Sequence, residues 1–136
     1  MEPASVLLVA KPGPLSNALL NLIVAIPQTG ITLQAETGLL ALKLMRVVAP
    51  QLVVIASSIA DEETLELVRQ VKQQMPATQC LVIVETPQQG ERIREAGADA
   101  TVASNISAAH LATAIEQRLS AIPRQDQTLL NLETRL

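Results

Sequence analysis

A chain of 136 residues is the length of one ordinary domain, long enough to bury roughly two-thirds of the surface its unfolded form exposes. Hydrophobic residues make up 49% and charged residues 17%, which excludes a disordered segment; a net charge of −3 gives no field for attracting nucleic acid. Phe, Tyr and Trp are all absent, which removes the stacking surfaces of single-strand binders and leaves an aliphatic core.

In chain order, Ser5–Ala10 is a buried strand, stopped by the turn Lys11-Pro12-Gly13-Pro14. Pro14 suits the first turn of a helix whose apolar face is Leu15, Leu19, Leu22, Ile23 and Ile26, ended by Pro27 and Gly30. Ile31, Leu33 and Ala35 then alternate with Thr32 and Gln34, the period of a strand with one exposed face. Thr37 caps a second helix expected to turn Leu40, Leu44, Val47 and Val48 inward, and Pro50 closes it.

Leu52–Ile55 is a run of β-branched and leucine residues, the mark of a strand buried on both faces. It is followed by the uncharged residues Ala56, Ser57 and Ser58. Asp61 is the expected cap of a third helix with the stripe Leu65, Val68, Val71 and Met75, broken by Pro76. Cys80–Val84 is a fourth strand, Gln88–Ala96 a weaker helix after Pro87, and Gly97 its left-handed stop. Ala100–Ala103 is a short fifth strand. Ser107 caps a last helix carrying Leu111, Ala112, Ile115 and Leu119. Five strand–helix alternations with near-continuous apolar strands give an α/β fold, a parallel sheet covered on both faces by right-handed crossovers.

One domain is expected over residues 1–122. Residues 123–136 then form a linker or tail whose Leu129, Leu130, Leu132 and Leu136 make a modest helical stripe. The tail reads either as a frayed stub or as a segment that docks on its own domain or on a second copy. Cys80 is the only cysteine, so no disulfide closes within the chain, and its apolar surroundings fit an inert buried thiol. No apolar run approaches the ~18 residues of a membrane span. The start Met-Glu-Pro-Ala-Ser lacks the basic region of a signal peptide, so a cytoplasmic protein is expected.

Three stretches together resemble the receiver domain of bacterial two-component response regulators, from about Val6 to Leu119. Ala49-Pro50-Gln51-Leu52-Val53-Val54-Ile55 is similar to the family's run into its phosphorylated aspartate, and Glu95-Ala96-Gly97-Ala98-Asp99 to the signature before its last strand. Glu36-Thr37-Gly38-Leu39-Leu40-Ala41-Leu42 resembles the segment after its second strand. The resemblance implies a flavodoxin-like (βα)5 sandwich with strand order 2-1-3-4-5.

The departures from the family pattern fall at its chemical positions. The acidic pair that would hold Mg²⁺ falls on Ala10 and Lys11, and the phosphoacceptor on Ala56. The lysine that would pair with the phosphoryl group falls on Ser104 and the aromatic switch residue on Thr101. The hydroxyl residue after the fourth strand is Val84 or Thr86. Residues 1–60 contain no Asp, and their acids are Glu2 and Glu36, so no carboxylate pair forms there by shifting the alignment. Ser57 is a poor substitute nucleophile without an activating base or metal. Lys11 reads as a solvated turn lysine or as a cation standing in for Mg²⁺.

The expected product is a pseudo-receiver, an interaction module that is not an enzyme, with no cofactor, Mg²⁺, nucleic acid or membrane partner. Its partner would be a protein or a second copy, met through the fourth helix, last strand and last helix, a face that includes Arg92, Glu95, Asp99, His110 and Gln117. His110 has no second His or acid beside it and reads as an exposed helix residue. Lys11–Asn17 is a weak phosphate nest because two prolines remove N–H donors. The alternative is a sensor binding a neutral ligand over Ala56, Ser57 and Ser104.

Overall fold

A computed structural model describes residues 3–121, so the tail expected from residue 123 onward lies outside the described residues. Strands and helices alternate as β1 (Ala4–Val9), α1 (Pro14–Ala25), β2 (Thr29–Ala35), α2 (Gly38–Val48), β3 (Leu52–Ile55), α3 (Asp61–Gln74), β4 (Gln79–Val84), α4 (Pro87–Glu95), β5 (Ala100–Ala103) and α5 (Ala108–Ser120). The sheet order is β2-β1-β3-β4-β5 with every pair parallel. This is the flavodoxin-like (βα)5 arrangement.

The apolar runs in the central strands follow from double coverage. Leu7, Val9, Val53, Ile55, Cys80 and Val82 enter the core shared with α2, α3 and α4. Their chain neighbours Val6, Leu8, Leu52, Val54, Leu81 and Ile83 enter the core shared with α1 and α5. Each fully buried aliphatic side chain contributes roughly 2 kcal/mol, so a polar residue at any of these positions would cost heavily.

Four local expectations are corrected. α2 buries Gly38, Ala41 and Met45, with Leu42 and Leu44 packed beside them and Val48 half-buried, while Leu40 and Val47 are exposed. Lys43 and Arg46 mark the outer side of this helix and Leu40 and Val47 flank them; the inward side is the opposite one, whose Gly38 lies against Glu63 of α3. Leu15 of α1 is exposed and its neighbour Ser16 is buried, because the Ser16 hydroxyl donates to the Gly13 carbonyl (2.9 Å) and accepts from the Gly13 N–H (3.1 Å), closing the turn. Ala60, not Asp61, is the cap of α3, which frees the Asp61 carboxylate for another partner. In β2, the pairing with β1 slips between Ala4 and Val6, a bulge at Gly30 and Ile31 that leaves Ile31 67% exposed.

Thr37 and Ser107 are caps as expected, and Thr86 is a third. Thr37, Thr86 and Ser107 each accept a backbone N–H through the side chain at the start of α2, α4 and α5. Gly97 takes a positive φ of 121° after α4, where a side chain would also meet the stem of Lys72.

Candidate functional site

Parallel pairing brings the carboxyl ends of all five strands to one rim, the position where open α/β folds place their chemistry. Ala10 follows β1 and Ala56 follows β3, and they are 0% and 1% exposed. Their N–H groups continue the sheet ladder, Ala10 to the Ala35 carbonyl and Ala56 to the Val9 carbonyl, both at 2.9 Å. Both methyl groups are sealed in the apolar core beneath α1 and α5. The central rim positions are therefore dry and carry no nucleophile or anion.

The polar groups around these methyls are bonded to one another. The exposed Lys11 gives its backbone N–H to Ser58 Oγ (3.2 Å). Ser104 Oγ donates to Glu85 Oε2 (2.8 Å), the Glu85 N–H donates to Gln89 Oε1 (2.7 Å), and Gln89 Nε2 donates to Asp61 Oδ1. This chain of bonds runs from the end of β5, past the end of β4, through α4 and onto the first residue of α3. On the other side, Glu63 accepts from the Gly38 N–H, linking α3 to the start of α2.

Of the two candidates after β4, Val84 is buried in the core, and the Thr86 hydroxyl accepts from the Gln89 N–H (3.2 Å) as the cap of α4. Thr101 is half-buried in β5 opposite Val82; a Cβ placed on Gly90 would sit 3.4 Å from its hydroxyl oxygen. The small Gly90–Thr101 pair lets α4 lie close against β5.

Asp61 was expected as a helix cap and not at this rim, and Glu63, Glu85 and Gln89 were not expected there either. One signal was present: Thr86 followed three residues later by Gln89 is a capping-box pattern. The Gln89 side chain reaches back as such a residue does, but to the N–H of Glu85. Asp61 and Glu63 gave no such sign, since their partners lie 28 and 25 residues away.

The five residues expected on the interaction face are not all gathered together. Arg92 and Glu95 are exposed on α4 and line a cleft of about 320 Å³ with Leu65 and Arg69 of α3 and with Ala96. His110 and Gln117 are exposed on α5, in the opposite helix layer. His110 Nδ1 lies 2.9 Å from Ser107 Oγ, so the ring completes the cap of α5. Asp99 has a different task. Its carboxylate accepts from the Cys80 N–H (2.8 Å) and from Lys72 Nζ (3.0 Å), tying the start of β5 to β4 and α3.

Cys80 is fully buried beneath that carboxylate. Burial first, and the nearby Asp99 charge second, push its thiol up from 9.0 to about 12, against a smaller opposing pull from Lys72. A thiol held protonated in this way is a packing group. Among the described residues, no group of three or more His, Cys, Asp or Glu side chains is placed to hold a metal ion. No helix among them is long and apolar enough to cross a membrane.

No protein-family model matches the chain, and no curated protein does. Solved structures do. A two-component response regulator of the LuxR family from Aurantimonas sp. SI85-9A1 superposes with a TM-score of 0.78 at 22% identity, covering 98% of this chain and 99% of that one. A DNA-binding response regulator of the LuxR family from Staphylococcus aureus gives 0.75 at 19% identity, covering 85% and 98%. A CheY-like response regulator receiver domain protein from Methanospirillum hungatei JF-1 gives 0.76 at 16% identity, covering 88% and 95%. The fold of this chain is that of response-regulator receiver domains.

Proposed function

We propose that this domain is a receiver-like signalling module that takes no phosphoryl group and acts through contact with a protein partner. The observation that carries this reading is the burial of Ala10 and Ala56, two methyl groups where a receiver would need a metal-holding carboxylate and a phosphoacceptor. An acidic side chain at either place would lose its hydration in an apolar core, so the surroundings match the residues present.

The Ser104–Glu85–Gln89–Asp61 chain supports the same reading. It occupies the rim with bonds internal to the protein and joins β5, α4 and α3 in one arrangement. Control then passes to abundance or to a partner that prefers a particular conformation. Arg92 and Glu95 of α4 and, in the other helix layer, His110 and Gln117 of α5 are the exposed groups offered to that partner. A neutral ligand over Ala56, Ser57 and Ser104 is less favoured, because Ala56 is buried and the Ser104 hydroxyl already donates to Glu85.

The test is intact-mass spectrometry after incubation with acetyl phosphate and Mg²⁺. The mass should stay that of the unmodified chain. A stoichiometric gain of one phosphoryl group, lost again in hydroxylamine as an acyl phosphate would be, sinks the proposal.

A further inference from the structure

The end of the molecule opposite the charged face has no task so far. Among the described residues the exposed large apolar side chains are Leu15 and Val24 of α1, Ile31 of β2, and Leu39, Leu40 and Val47 of α2. All belong to the three elements at the β2 edge of the sheet. Both helices run antiparallel to the strands, so Val24 and Val47, each next to last in its helix, lie at the amino edge of the sheet. Ile31, third of the seven residues of β2, lies in the amino half of that strand. Val24 is 60% exposed, Ile31 67% and Val47 83%. Each of the three layers of the sandwich thus leaves one bare aliphatic side chain toward the amino side of this sheet edge.

The backbone there is open as well. β2 ends the sheet on this side with seven residues, Thr29–Ala35, that include no charge and no proline, whereas β5 ends the other side with four. Proteins ordinarily blunt a free edge with lysine, proline or brevity. This edge has only its bulge, at the amino end, and Thr32–Ala35 pair regularly with β1 beyond it.

We propose that the α1–β2–α2 end is a homodimer interface, in which two copies bring their β2 edges together antiparallel about a two-fold axis. The distribution of charge selects a second copy as the occupant. Around a two-fold axis a patch faces itself, so a charge near the axis meets its like. Residues 12–35 contain no ionisable side chain at all, and on α2 the ionisable groups are Lys43 and Arg46. The α3 and α4 helices, by contrast, carry Asp61, Glu62, Glu63, Glu66, Arg69, Lys72, Glu91, Arg92, Arg94 and Glu95. A chain of net charge −3 can therefore approach its own copy most cheaply through this end, whose charges are few: Glu36 after β2, and Lys43 and Arg46 on α2. The chain's own residues 123–136 suit the face less well, since Arg124, Asp126, Glu133 and Arg135 would come with them. The interface leaves Arg92, Glu95, His110 and Gln117 free for a different protein.

Light scattering on the full chain tests the interface. The wild type should approach twice the 14.5 kDa of one chain at micromolar concentrations, and the doubly substituted V24K/V47K chain should run at 14.5 kDa with unchanged circular dichroism. Both sites are exposed, so the substitutions leave the core intact. Ile31 neighbours Thr32, the middle residue of β2, so Ile31→Cys should give a disulfide-linked dimer under mild oxidation while Glu95→Cys does not. A wild type that stays monomeric, as it would if its own tail covered the face, overturns the proposal. So does a dimer that survives V24K/V47K, or one that crosslinks through Glu95→Cys and not through Ile31→Cys.

Discussion

The two ends of the sheet solve the same structural problem in opposite ways. At the β5 end, elements are held by polar ties between distant residues: Asp99 to Cys80 and Lys72, Ser104 to Glu85, and Gln89 to Asp61. Its helix α4 buries one large side chain, Ile93, beside Gly90. At the β2 end, α1 is anchored by Leu19 and Ile23, with Leu20 and Leu22 partly covered. That end keeps its cohesion in apolar burial and leaves apolar surface over. The contrast teaches that a receiver fold can keep its sheet while one end specialises in polar locking and the other carries few charges.

The largest expected effect probes the single anchor of α4. Ile93→Ala should cost about 3 kcal/mol and open α4 to hydrogen exchange ahead of the rest of the chain. Leu19→Ala should cost a similar amount yet leave α1 protected, because Ile23 still holds it. Equal loss of protection in both helices would erase the distinction between the two ends.

Next is Asp99→Ala, which removes the acceptor of the Cys80 N–H and of the Lys72 ammonium. A loss of about 2 kcal/mol in urea unfolding is expected from the unpaired donor, and little change in the contacts of α1 or α2. Loss of less than about 0.5 kcal/mol would reduce the Asp99 ties to ornament.

The smallest effect within ordinary buffers concerns Cys80. Its folded value of about 12 lies above its ordinary 9.0, so the unfolded chain gives up this proton first. The associated stability is complete below pH 9 and is lost as pH rises toward 12, by about 1.4 kcal/mol per pH unit. Urea midpoints of the wild type should thus fall more steeply between pH 9 and 10 than those of Cys80→Ala. Parallel slopes would mean that the thiol titrates as an exposed one does.

Much of the candidate site was legible in the sequence as an absence. Ala10 and Ala56 stand next to apolar runs whose strand character is local, so their place at the rim follows once the alternation of elements is known. The polar chain around them was not legible. Gln89 and Asp61, or Ser104 and Glu85, are far apart along the chain and meet only because parallel crossovers return each strand end to the same edge. Asp99 illustrates the difference in one residue: its position before β5 could be read, whereas its work as a tie depends on Lys72 arriving from α3.

By itself the sequence determined the order of ten elements, the two-sided burial of β1, β3 and β4, the helix caps Thr37 and Ser107, and the lack of acids through the first three strands. These are local matters of period, capping residue and composition. Tertiary structure decided which apolar side chains of α2 are covered, since Leu40 and Val47 lie beside the Lys43–Arg46 side and stay exposed while Gly38 packs against Glu63. It also decided that β2 bulges at Ile31 and that Asp61 serves α4 in place of a cap, because register and side-chain pairing depend on partners no window of sequence contains.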